Sequence, residues 1–117
     1  AYFAPVVRGD LQLPAALVKS NAFSAKAALK LLENRLATQK FMAGNSVTIA
    51  DLFAYSEIGQ CLPQYCDLID FTPYPNILAW SKRMSKVDAH NKVHESKGMT
   101  RLYKFIRKSK AASKSKL

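Results

Sequence analysis

Between positions 22 and 38, Ala25, Ala28, Leu29, Leu32 and Leu36 recur at steps of three and four, while Lys26, Lys30, Glu33 and Arg35 fill the other faces. That is the period of an amphipathic helix, predicted here over 22–38. Ahead of it, 10–21 reads as a connection with at most a short helical turn over 14–19. After a break at Gly44, a second helix is predicted from Ile49 to about Leu62, where Pro63 ends it because proline lacks the amide the next turn needs. Gly59 inside this helix costs about 1 kcal/mol relative to alanine, a cost that a close approach by a neighbouring helix would justify. A loop follows over 67–73. Pro75 is suited to the first position of a third helix, predicted to about Ser85 with Ile77, Leu78, Trp80 or Met84 turned inward. A short helix is predicted over 89–94. Met99, Leu102, Phe105 and Ile106 mark a last amphipathic helix, which dissolves into a Lys- and Ser-rich end.

The start of the second helix carries more local information than any other stretch. Thr48 is followed three residues later by Asp51, the arrangement of a capping box, in which each side chain reaches the other's backbone amide. Asp51 also lies where the helix dipole favours negative charge. Val47 and Leu52 flank the cap as a hydrophobic staple, a contact that fixes the angle at which the chain enters the helix. At the front, Ala1-Tyr2-Phe3-Ala4-Pro5-Val6-Val7-Arg8-Gly9 reads as the end of a helix whose beginning lies upstream. The absence of an opening Met and of a signal-peptide pattern fits a sequence that begins inside a longer protein or behind a removed tag.

Within 117 residues there is room for one domain. With 49% apolar residues a core is available, but no apolar run approaches the roughly 18–20 residues of a membrane span. Net charge is +10, and its location matters more than its size. Residues 1–81 hold six basic and six acidic side chains, whereas 82–117 hold twelve Lys or Arg against Asp88 and Glu95 alone. A neutral body argues against a specific nucleic-acid surface spread over the domain, while the basic end admits contact with RNA, acidic protein or anionic lipid.

Candidate chemistry is sparse. Cys61 and Cys66 are five apart, neither Cys-x-x-Cys nor a disulfide framework, and are expected as free, buried or half-buried thiols. His90 and His94 share a helix face at metal-pair spacing, but with no third ligand they read as exposed histidines, and no metal site is expected. There is no Ser/His/Asp set and no Gly-rich phosphate loop, so no catalytic residue is expected in this chain.

The Ser46-Val47-Thr48-Ile49-Ala50-Asp51 cap, followed by Tyr74-Pro75-Asn76-Ile77-Leu78-Ala79-Trp80, resembles the all-helical C-terminal domain of the glutathione transferase superfamily. In that family a Ser/Thr-hydrophobic-Ala-Asp segment opens the central helix, and a Pro-Asn-hydrophobic-x-x-Trp segment opens the next. The resemblance implies an all-α, multi-helix bundle over 1–107, with the family's long fourth helix truncated at residue 1, and a basic flexible tail over 108–117. The aromatic-x-Pro-hydrophobic-hydrophobic-x-Gly stretch at the front is similar to the close of that helix in theta-like members.

By the same resemblance, glutathione is a co-substrate bound mainly by a thioredoxin-like N-terminal domain, which also supplies the thiolate-stabilising residue. The helical part gives one wall of the hydrophobic co-substrate site and the domain or dimer interface, and is inactive alone. Tyr2, Phe3, Phe53, Tyr55 and Tyr103 are the wall candidates; the core is an alternative place for each, and for Phe53 the expected one. The implied partners are that N-terminal domain or another transferase-like protein, including a second copy as a homodimer. The alternative is a non-catalytic interaction module of the translation apparatus, as in the elongation-factor gamma subunit or aminoacyl-tRNA synthetase complexes. A free-standing helical domain is a third reading. Ser115, Lys116 and Leu117 form a peroxisomal targeting signal when they stand at a free C-terminus. Its partner is an import receptor and its destination the peroxisome or glycosome; a cytoplasmic location is the alternative.

Overall fold

The computed structural model describes residues 14–88, 92–93 and 95–113, and of 110, 112 and 113 the backbone alone. Among the described residues four α-helices are fully bounded: α1, Ala15–Thr38; α2, Ile49–Ile58; α3, Pro75–Met84; and α4, Lys97–Ser113. The described residues contain no strand, only an isolated bridge between Phe41 and Gly44. The described residues are thus all-α, as the resemblance implies.

Helix α1 begins earlier than expected, directly after Pro14, whose carbonyl accepts the Val18 amide at 3.1 Å. The segment 15–21 is largely exposed and so carries no burial stripe to read. It is nonetheless free of glycine and proline, and extending an existing helix costs far less than nucleating one. Further on, Leu29 and Leu36 are buried and Leu32 packs against the same core, but Ala28 is exposed.

Helix α2 loses its α-helical bonding at Ile58 and tightens into a 3-10 turn over Gly59–Cys61. Leu62 is already extended, at φ −64° and ψ 154°, the conformation favoured by a residue before proline. A Cβ at Gly59 would lie 3.5 Å from the Tyr55 ring. The close neighbour is therefore a side chain from the same helix, not the second helix that the sequence suggests.

Helix α3 starts at Pro75 and packs on both α1 and α2. It buries Ile77, Trp80 and Met84 completely and leaves Leu78 partly covered. With Leu29, Leu36, Tyr55, Leu62 and Phe71 these form the principal core. The Tyr55 and Trp80 rings meet edge to face, 5.6 Å between centroids, a geometry that adds about 0.5–1.5 kcal/mol to the burial itself.

Helix α4 begins at Lys97 and continues to Ser113, further at both ends than its apolar pattern indicates. It docks through Tyr103 and Ile106 onto Cys66 and Leu68, a second and smaller core. Tyr65 joins them, its ring 5.0 Å from that of Tyr103. The expected flexible tail over 108–117 thus gives up 108–113 to the helix, and the rest lies outside the described residues. The short helix expected over 89–94 falls mostly outside them as well; Lys92 and Val93 are helical.

Candidate functional site

The cap predicted from Thr48 and Asp51 is the centre of a larger arrangement. Asp51 is fully buried, without a basic partner, and its carboxylate accepts four hydrogen bonds. Oδ2 receives the Thr48 amide at 3.0 Å and the Thr48 hydroxyl at 3.1 Å. Oδ1 receives the Met42 amide and the indole N–H of Trp80, both at 2.9 Å. Burial alone pushes the Asp51 carboxyl up, but the donors from Met42, Trp80 and Thr48 together outweigh it and hold the group below its ordinary value of 3.8. The charge is thus neutralised by oriented dipoles.

This fixes the loop ahead of α2 as well as its first turn. Phe41 and Gly44 exchange backbone hydrogen bonds of 2.9 and 3.3 Å across a tight turn. Gly44 has φ 140°, a region that L-residues with side chains rarely occupy. Arg35 on α1 donates to the Met42 carbonyl at 3.2 Å. Arg83 on α3 donates to the Lys40 carbonyl through Nε at 3.1 Å and Nη2 at 2.6 Å, with its guanidinium 5.6 Å from the centre of the Phe41 ring. Three helices therefore hold one loop in place.

On this rigid mount the start of α2 presents an apolar surface to solvent. Ile49 is 84% exposed and Phe53, one turn on, is 72% exposed. Val47 and Leu52 are partly open beside them, so neither half of the expected staple is buried. Phe53, expected in the core, points outward, whereas Tyr55 and Tyr103, expected as wall candidates, are buried. The reason is helical phase: Asp51 and Tyr55 share the inward face four residues apart, and Ile49 and Phe53 share the outward one. Burial, with Tyr65 beside it, raises the Tyr55 hydroxyl well above its usual range. Burial likewise lifts Tyr103 to about 12, helped by Cys66 and Tyr65. Tyr2, Phe3, Ser115, Lys116 and Leu117 lie outside the described residues.

By its spacing in the sequence, Glu33 is one of several charges on the polar faces of its helix. In the structure it caps α3. Oε1 accepts the Asn76 amide at 2.9 Å and its side-chain amide at 2.7 Å, and Oε2 accepts the Ile77 amide at 2.9 Å. The signal was a deficiency elsewhere: α3 opens with Tyr74 and Pro75, has no capping side chain of its own and no acid in its first turn. Its free amides demand an acceptor from outside.

Reactive groups are few among the described residues. Cys61 and Cys66 form no disulfide and Cys66 is buried, and burial with the Glu57 charge pushes the Cys61 thiol up to about 11. Such a thiol is a poor nucleophile near neutral pH. His90 and His94 fall outside the described residues, and among those described no three metal-binding side chains gather. A cavity of about 210 Å³ between α1 and the 69–74 loop touches Ala22, Lys26, Leu29, Ile69, Asp70 and Tyr74. No helix among the described residues is long and apolar enough to cross a membrane.

The family described as glutathione S-transferase, C-terminal domain, matches residues 2–88. Glutathione S-transferase theta-2 of Rattus norvegicus is 33% identical over 91 residues, which cover 71% of this chain and 36% of that protein. The chain thus corresponds to little more than a third of that relative. No solved structure matches it significantly.

Proposed function

The chain belongs to the glutathione S-transferase C-terminal domain family, and from that premise we propose that it is the helical half of a theta-like transferase, inactive by itself. In this reading a thioredoxin-like domain binds glutathione and stabilises its thiolate. The helical half closes one side of the site for an apolar electrophile. The observation that carries the reading is the exposure of Ile49 and Phe53 on a helix start whose position Asp51, Arg35 and Arg83 fix. A large apolar pair kept in water on a rigid mount is suited to being covered by another domain. Ile49 serves the domain contact and Phe53 reaches the electrophile. This chain's role is binding and exclusion of water, since the one thiol and two phenols with resolved shifts lie above neutral pH. Phe23 and Leu31, both exposed on α1 eight residues apart, offer a second apolar contact for a neighbouring subunit.

The test joins this chain to the thioredoxin-like domain of a theta-class transferase. Conjugation of glutathione to an apolar electrophile should appear in the fusion and not in the 117-residue chain. In the fusion, Phe53→Ala should raise KM for the electrophile by about tenfold with KM for glutathione unchanged. Conjugation by the isolated chain, or an electrophile KM indifferent to Phe53, would refute the reading.

A further inference from the structure

We propose that α4 docks the chain, reversibly and without insertion of a span, onto an anionic lipid surface. The helix carries six Lys or Arg in 17 residues and no acid. Lys97 and Arg101 stand near its amino end, where the helix dipole opposes positive charge, and no acidic residue occupies the first turn. A helix serving only to cover the Cys66 and Leu68 core has no use for that placement.

The two sides of α4 have separate tasks. Tyr103 and Ile106 are buried against the body, with Met99 and Leu102 packed beside them. On the outward side, Lys97, Arg101, Lys104 and Lys108 follow at steps of four, three and four, one continuous row about 16 Å long at the helical rise. Among the described residues none of these four is ion-paired. Phe105 is 54% exposed, and it lies four residues after Arg101 and three before Lys108, hence between them on the surface. A cationic row with one aromatic side chain set in it matches a bilayer interface: the cations meet the headgroups and the ring enters the acyl boundary.

The same charges could meet nucleic acid, but the shape favours lipid. The outward side of a single helix is convex and forms no groove to follow a strand. Phe105 is the one exposed aromatic on it, whereas binding of single strands relies on successive stacking platforms. Lysine predominates in the row, a point charge suited to diffuse attraction more than to planar readout of bases.

The experiment is flotation of the 117-residue chain with vesicles of phosphatidylcholine, with and without phosphatidylserine, at low and high salt. The chain should float with the anionic vesicles alone and be released by salt. Exchanging Arg101, Lys104 and Lys108 for Glu should reduce partitioning by about tenfold or more. Phe105→Ser should weaken it while leaving its salt dependence intact. All four positions are exposed, so circular dichroism should show unchanged folding; if the triple variant unfolds, Phe105→Ser and the salt series decide. No flotation with anionic vesicles, equal flotation of the charge-reversed chain, or preferential capture by single-stranded polyuridine in a mixture would overturn the proposal.

Discussion

The Oδ1 of Asp51 and the indole nitrogen of Trp80 meet at 2.9 Å between two fully buried side chains 29 positions apart. The bond joins a local capping motif to the centre of the core. Asp51→Asn keeps the shape but turns an amide NH2 toward one of two sets of donors, and should cost about 2–3 kcal/mol. Trp80→Phe removes a donor and leaves a void, costing about 2–4 kcal/mol. Because each change spoils the same bond, the double variant should be less destabilised than the sum by about 1 kcal/mol. Urea unfolding of the four proteins measures this, and strict additivity would show that the bond adds nothing.

The Glu33 cap makes a separate prediction. Glu33→Ala strips the acceptor from the Asn76 and Ile77 amides and should cost about 1–2 kcal/mol. Glu33→Gln should recover only part of this, since one end of its side chain is a donor facing a donor. If glutamine matched glutamate in thermal unfolding, the two-oxygen cap would be wrong.

The pH dependence has two limbs. Asp51 is an acid whose folded value lies below 3.8, so its contribution is complete above that value and is lost as pH falls through the folded one. Cys61 and Tyr103 shift the other way, from 9.0 to about 11 and from 10.0 to about 12. Their contributions are complete below the unfolded values and are lost as pH rises toward the folded ones. Unfolding free energy should therefore decline below about pH 4 and again above about pH 9. Asp51→Asn should flatten the acid limb and Cys61→Ser should delay the alkaline one; curves parallel to wild type would contradict the assignment.

The two described glycines of the α2 region should respond oppositely to alanine. Gly44→Ala forces a Cβ onto φ 140° and should destabilise by about 1–3 kcal/mol. Gly59 has φ −54° and ψ −43°, and its new methyl would make ordinary contact with the Tyr55 ring. Gly59→Ala should therefore be neutral or stabilise by up to about 1 kcal/mol. Thermal midpoints of the two variants on the same side of wild type would show that backbone geometry is not deciding them.

What the sequence revealed and withheld follows from distance along the chain. Thr48 with Asp51, and Pro75 at a helix start, were legible because each rule spans only a few residues. The phase of α2 was not: Ile49 and Phe53 are as apolar as the buried Tyr55, so hydrophobicity alone does not choose a side. The choice is made by Asp51, whose carboxylate must face Trp80. The first turns of α1 carry no legible period because nothing there is buried deeply enough to write one. Glu33 and Arg83 each reach a partner 43 residues away, and no local pattern specifies that.

Those long spans also set an order of events during synthesis. Asp51, Glu33 and the Lys40 carbonyl all wait for partners on α3, between Asn76 and Arg83. While α3 is still inside the ribosome, everything upstream has a carboxylate without its indole, a loop without its clamp and a core without Ile77, Trp80 and Met84. The nascent chain should stay uncommitted until Met84 clears the exit tunnel and then form its principal core in one step, before α4 arrives to complete the second. Arrest-peptide force profiles of chains of increasing length would register one release at that point, and a strong earlier release would show that α1 and α2 settle without α3.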